Sequence, residues 1–177
     1  MGRVVLQAGT SVDGLVVYPR GEEHEQMVEW KVRSVGEASV HVMGRVTYEE
    51  MAAHWPTSSS PFAAPMNDVP KVVFSSTLER AEWPESRIAR GPLAEEIAAL
   101  REEVGDGIVL VHGGPSFARA VTGEGMVDEY RVVVWPVIAG DREGVRWFGD
   151  LAEPQSLQVV SSADFPDGSG VRVYRPS

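Results

Sequence analysis

The sequence predicts an α/β domain, with one mixed sheet carrying helices on both faces and a C-terminal antiparallel hairpin. Three observations predict it. Short runs of Val, Leu and Ile alternate with amphipathic stretches through the first two thirds of the chain. The last third is β-branched and aromatic, with a Gly-rich turn. At 177 residues the chain suits one domain with a sizeable core, and no repeat or linker divides it.

Residues 3–8 are the first expected strand. Residues 9–21 read as a loop with a second apolar patch, Leu15-Val16-Val17. Residues 22–37 suit a helix, because Val28, Val32 and Val35 recur at helical spacing. Glu22, Glu23 and Glu25 sit at its start, where the macrodipole favours acids. Residues 39–43 alternate as a strand, and a short helix follows over 46–53. Residues 55–70 are rich in Pro and Ser and read as a long loop of the lid or binding type. Strands are expected at 71–74 and 87–89. Gly91-Pro92 opens a helix with Pro in its first turn. Leu93, Ile97, Leu100 and Val104 line its inner face, and Gly105-Asp106-Gly107 ends it. A strand at 108–111, a helix at 116–121 and a strand at 128–134 follow. Asp167-Gly168-Ser169-Gly170 then joins the strands 157–161 and 171–174 as a hairpin.

Composition excludes several functions. With no cysteine, disulfides, thiolate metal sites and Cys nucleophiles are ruled out. The four histidines (His24, His41, His54, His112) lack ligand spacing, so no metal site is expected. A net charge of −10 argues against nucleic-acid and anionic-membrane partners. Val4-Val5-Leu6 is too short for a signal core or a membrane span, and Leu6 breaks a myristoylation motif. A cytoplasmic protein is expected.

Four phrases at strand-to-turn junctions carry the chemistry. Gly44-Arg45-Val46-Thr47 starts a helix after a strand, offering free N–H groups and a forked cation to phosphate. Gly113-Gly114-Pro115-Ser116 permits close backbone approach to a pyrophosphate. Ser75-Ser76 places two hydroxyls at a strand end. Asp13-Gly14 is a turn dipeptide whose carboxylate can also orient a substrate. In this order, at strand ends of an α/β sheet, they point to an enzyme with a nucleotide cofactor.

The ensemble resembles the dihydrofolate reductase superfamily. It is most similar to the reductase (C-terminal) domain of the bacterial bifunctional riboflavin-biosynthesis deaminase-reductase. The likeness runs from Val4 to Tyr174 and includes Met43-Gly44-Arg45-Val46-Thr47-Tyr48-Glu49, Pro70 to Ser75, Val111-His112-Gly113-Gly114, Val127 to Tyr130, Pro136 to Gly140, and Trp147-Phe148. It implies a single domain over 1–177, a mostly parallel sheet and bound NADPH. It also implies hydride transfer to a small heterocyclic substrate, such as the ribosylamino-pyrimidine of riboflavin synthesis. Carried over by position, Gly44, Arg45 and Thr47 meet cofactor phosphates. Ser75 and Ser76 lie near the adenosine ribose and its 2′-phosphate. Gly113, Gly114, Ser116 and Phe117 cradle the pyrophosphate and nicotinamide side, across a cis Gly113–Gly114 peptide. Asp13 matches the Ser-x-Asp-Gly signature and faces the substrate as the catalytic carboxylate.

The likeness departs in three places. The acid of folate enzymes would fall near Met27-Val28, between Glu25 and Glu29, and their Trp-containing loop is missing. The deaminase Zn motif is absent. The turn from Gly140 through Asp141-Arg142-Glu143 to Gly144 is more charged than the family suggests. Dihydrofolate reduction with a displaced carboxylate is the second enzyme reading, and a degenerate NADPH-binding module is the non-enzyme one. The run of Tyr130, Val132, Val134 and Trp135 offers apolar surface for a homodimer.

Overall fold

The computed structural model describes residues 1–18, 23–140, 144–149 and 151–177. Gly21 of the expected first loop, Glu22 of the expected helix start and Asp141-Arg142-Glu143 of the charged turn lie outside the described residues.

Strand β1 (Arg3–Thr10) leads to α1 (Glu25–Gly36), β2 (Val40–Gly44) and α2 (Arg45–His54). A 3-10 turn (Trp55–Thr57), α3 (Ala63–Asp68), β3 (Lys71–Phe74) and β4 (Ser86–Ala89) follow. The chain continues through α4 (Leu93–Glu103), β5 (Ile108–His112), α5 (Pro115–Gly123) and β6 (Glu129–Val134) to the hairpin β7 (Leu157–Asp164) and β8 (Gly170–Pro176). The eight strands form one sheet in the order β4-β3-β2-β5-β1-β6-β8-β7. Pairings among β1 to β6 are parallel. Strand β8 runs antiparallel to both β6 and β7.

Alternation along the strands builds two core layers. Val4, Leu6, Val42, Val109 and Val111 face Ile97 and Leu100 of α4 and Ala118 and Val121 of α5. Val5, Met43, Val73 and Leu110 point the other way, toward Val35 of α1, Tyr48 of α2 and Met66 of α3. Helices therefore cover both faces, as parallel strands require. Ile97 and Leu100 are fully buried, and each contributes about 1.5–3 kcal/mol of burial free energy.

Two expectations are corrected. The Pro/Ser-rich stretch 55–70 holds the 3-10 turn and α3. Trp55, Phe62 and the buried Met66 join the second core layer, so this stretch is packed structure and not an open loop. Pro92 occupies the N-cap of α4, one position before the helix.

Candidate functional site

Strands β2 and β5 are neighbours, although the two segments are far apart in sequence. Strand β5 inserts between β2 and β1, so connections diverge at this point of the sheet. Such a switch opens a crevice at the carboxyl ends of the strands. Helices α2 and α5 start directly at those ends, at Gly44 and Gly114. Neither start has a side-chain cap, in contrast to α1, where His24 accepts from Gln26 N–H. First-turn N–H groups without caps attract anionic groups.

The two starts are tied together. Thr47 Oγ1 donates to Gly113 O at 2.7 Å and accepts from Gly114 N at 2.9 Å. The Gly113–Gly114 peptide is cis. A Cβ on Gly113 would collide with the Trp147 ring, and one on Gly114 would stand 3.1 Å from Thr47 Oγ1. These glycines keep open a cradle that a side chain would fill. Phe117 stacks against Phe74, with ring centroids 5.0 Å apart, and lies beside Gly44.

Further along the edge, Ser75 Oγ accepts from Thr77 N–H at 3.2 Å and Leu78 N–H at 2.9 Å, shaping the turn after β3. Ser76 and Ser116 are exposed. Arg45 is half-exposed and pairs with Glu49 at 2.7 Å. Arg90, just past β4, donates to Ser75 O, Ser76 O and Leu78 O. An arginine thus lies against the serine turn, a feature that sequence reading missed. Its only sequence signal was a cation one residue past a short strand.

Beside Gly113 opens a cavity of about 330 Å³. Gln7, Ala8 and Gly9 of β1, Lys31 of α1, Thr47, Glu50 and Met51 of α2, and Val133 of β6 line it, together with Val17, Tyr18, Gly113, Trp135 and Trp147. Trp147 Nε1 donates to Gly9 O at 2.6 Å, which fixes this ring behind the glycine peptide. The cavity continues the crevice past Gly113, opposite the serine turn.

Asp13 lies outside this lining. Its carboxylate accepts from Ala139 N–H at 3.0 Å and Gly140 N–H at 2.9 Å. The Ser11 hydroxyl and these two amides hold its carboxyl well below the usual range. Asp13 thus braces the 139–140 turn. Met27 is buried among Val133, Trp135 and Val171, so α1 presents no acid at that position either.

His112, next to the glycines, faces inward. Its ring centroid is 4.5 Å from that of His41. Burial pushes His112 down to about 4, and burial together with the facing His112 pushes His41 down as well. Both are neutral members of the core.

The family description RibD C-terminal domain matches residues 3–170. The chain belongs to that family. The uncharacterized protein YyaP of Bacillus subtilis (strain 168) is 24% identical over 185 residues, covering 97% of this chain and 94% of YyaP. A putative riboflavin biosynthesis protein of Shewanella sp. PV-4 superimposes with a TM-score of 0.75 at 20% identity, covering 99% of each chain. A dihydrofolate reductase of Enterococcus faecalis, complexed with NADP(H) and RAB-propyl, gives a TM-score of 0.67 at 13% identity, covering 99% of this chain and 97% of the enzyme. The fold is therefore that of dihydrofolate reductase, in a member of the RibD C-terminal domain family. Among the described residues, no helix is long and apolar enough to cross a membrane.

Proposed function

We propose that this chain is an NADPH-dependent reductase that delivers hydride to a small planar heterocycle of the ribosylaminopyrimidine type. One observation carries the reading. Two uncapped helix starts lie side by side on neighbouring strands, tied by Thr47 to the cis Gly113–Gly114 peptide, with an aromatic-walled cavity opening beside it. The uncapped N–H groups of α2 and α5 suit the pyrophosphate. Arg45, Ser76 and Arg90 supply charge and hydroxyl for a 2′-phosphate. Gly113 and Gly114 admit the nicotinamide end. The cofactor supplies the hydride, and the protein positions it against the cavity.

The folate reading loses support from α1, whose cavity residue is Lys31 and not an acid. We further propose a cytoplasmic homodimer that covers β7, where Leu157, Val159 and Val160 are exposed on an edge strand. The monomer's mass in light scattering at micromolar concentration would count against it. The activity is tested by following NADPH absorbance with 5-amino-6-(5-phosphoribosylamino)uracil and with dihydrofolate. Consumption with the first and not the second is expected. Brisk reduction of dihydrofolate alone would replace this reading with the folate one.

A further inference from the structure

Lys31 is the cation on the wall of the substrate cavity, and its setting says what the cavity recognises. It lies one helical turn after the buried Met27, on the face of α1 that meets the sheet. Its Nζ donates to Glu23 Oε1 at 2.5 Å and Oε2 at 2.7 Å. It stands 5.4 Å from the ring centroids of both Trp135 and Phe62. The Lys31 and Glu23 side chains are only 19% and 11% exposed. An ammonium has three N–H donors and no acceptor. Among the described residues, its hydrogen bonds go to Glu23 alone, so a donor is left for a ligand.

Most of the other polar groups on the wall are committed or peripheral. Thr47 Oγ1 is used by Gly113 and Gly114. Gln7 Oε1 accepts from Ser34 Oγ at 2.6 Å. Glu50 and Tyr18 are exposed at the mouth. Trp135 and Trp147 present flat rings, which favour a flat ligand.

We propose that Lys31, braced by Glu23 beside Trp135, is the specificity-determining residue, selecting planar rings that present a carbonyl or carboxylate edge and rejecting cationic rings. This rests on the reductase reading for the identity of the cavity, and it concerns the ring edge, not the cofactor. Glu23 orients the ammonium and offsets its charge, so the discrimination comes from the directed donor more than from long-range attraction.

The test uses Trp fluorescence, because two tryptophans line the cavity. The full chain is titrated with orotate, a uracil ring bearing a carboxylate, and with 2,4-diaminopyrimidine in mildly acidic buffer, where its ring carries a proton. A separate NADPH titration checks the reductase reading on its own. Orotate should quench saturably and bind more tightly than diaminopyrimidine. Lys31→Met should weaken orotate about tenfold or more, the usual loss for a charge-assisted bond, without weakening diaminopyrimidine. Lys31→Arg should restore part of the affinity. Glu23→Gln, which keeps the cation but removes the carboxylate that orients it, should weaken orotate binding while sparing diaminopyrimidine, and if Lys31→Met fails to fold, orotate binding unchanged in Glu23→Gln would overturn the proposal. Tighter binding of diaminopyrimidine by the parent, or orotate binding unchanged in Lys31→Met, would overturn the proposal. If NADPH fails to bind while the orotate preference follows Lys31, the reductase reading falls and the cavity assignment stands.

Discussion

The two ends of the sheet use arginine differently. At the amino-terminal end of β1, a cleft of about 280 Å³ is lined by Arg3, Arg33, Arg131 and Arg175 with Glu37 and Glu129. Glu129 is nearly buried and accepts from Arg131 at 3.0 Å, Arg175 at 2.9 Å and Arg3 at 3.3 Å. Arg131 also donates to Ser34 and Glu37. Burial pushes the Glu129 carboxyl up, but the bonds from Arg175 and Arg131 and the surrounding positive charge outweigh it and hold it low. At the carboxyl end, Arg45 and Arg90 are exposed, and the helix starts beside them are uncapped. The first end spends its charges on one another and holds β1, β6, β8 and α1 together. At the second, Arg45 pairs with Glu49 and Arg90 holds the serine turn, while the N–H groups of the α2 and α5 starts stay uncapped, as an anion site requires. A cluster of arginines is thus no guide to a site until its partners are counted.

The largest expected effect is at the closed end. Glu129→Gln removes the shared acceptor of three arginines and leaves the buried Arg131 short of a partner. It should destabilise the fold by about 3–5 kcal/mol in urea unfolding, with cofactor affinity of the folded fraction unchanged. Loss of affinity without loss of stability would reverse the contrast between the ends. Gly114→Ala has the opposite signature. Its Cβ would stand 3.1 Å from Thr47 Oγ1 inside the cradle, so NADPH affinity should fall more than tenfold while the unfolding midpoint moves far less than in Glu129→Gln.

A third prediction sharpens what lies between the ends. His41 and His112 have folded pKa values below the ordinary 6.5, so the unfolded chain binds more protons in mild acid. Their contribution is fully present above about pH 6.5 and is lost as pH falls toward about 4. His112 keeps a partly accessible edge, so its share is about 1–3 kcal/mol. Urea midpoints should drop across that window, and His112→Gln should flatten the slope. The smallest effect belongs to Asp13→Asn. As a loop brace, it should change turnover by far less than the ~hundredfold that follows loss of an acid–base group. A hundredfold loss would return Asp13 to the site.

Much of this was legible before the structure. The strand at Ile108–His112 and the helix facing of Ile97 and Leu100 follow from local periodicity, and the hairpin follows from Asp167-Gly168. The glycine and serine phrases do lie along one sheet edge, because a parallel α/β sheet sends every strand end there. What was not legible needed distant segments to meet. Lys31 lies more than a hundred residues before Trp135 and Trp147, and no spacing rule connects it to them. Arg90 gains meaning only from the turn of Ser75 and Ser76 that it holds. Helix α3 was hidden by its Pro/Ser composition, since Met66 and Phe62 are isolated apolar residues until Trp55 packs against them. Asp13 is ambiguous in sequence, because a turn acid bonded to backbone amides and a substrate acid look alike there.

The central claim is that the carboxyl edge holds NADP(H), with the 2′-phosphate against Arg45 and Arg90. Calorimetric titration of NADPH and NADH into the parent, Arg45→Ala and Arg90→Ala tests it most directly. The account predicts NADPH at least about tenfold tighter than NADH in the parent, with at least one of the arginine changes costing NADPH about ten- to a hundredfold and leaving NADH nearly unchanged. Equal affinities for the two cofactors, or no binding of either, would contradict it.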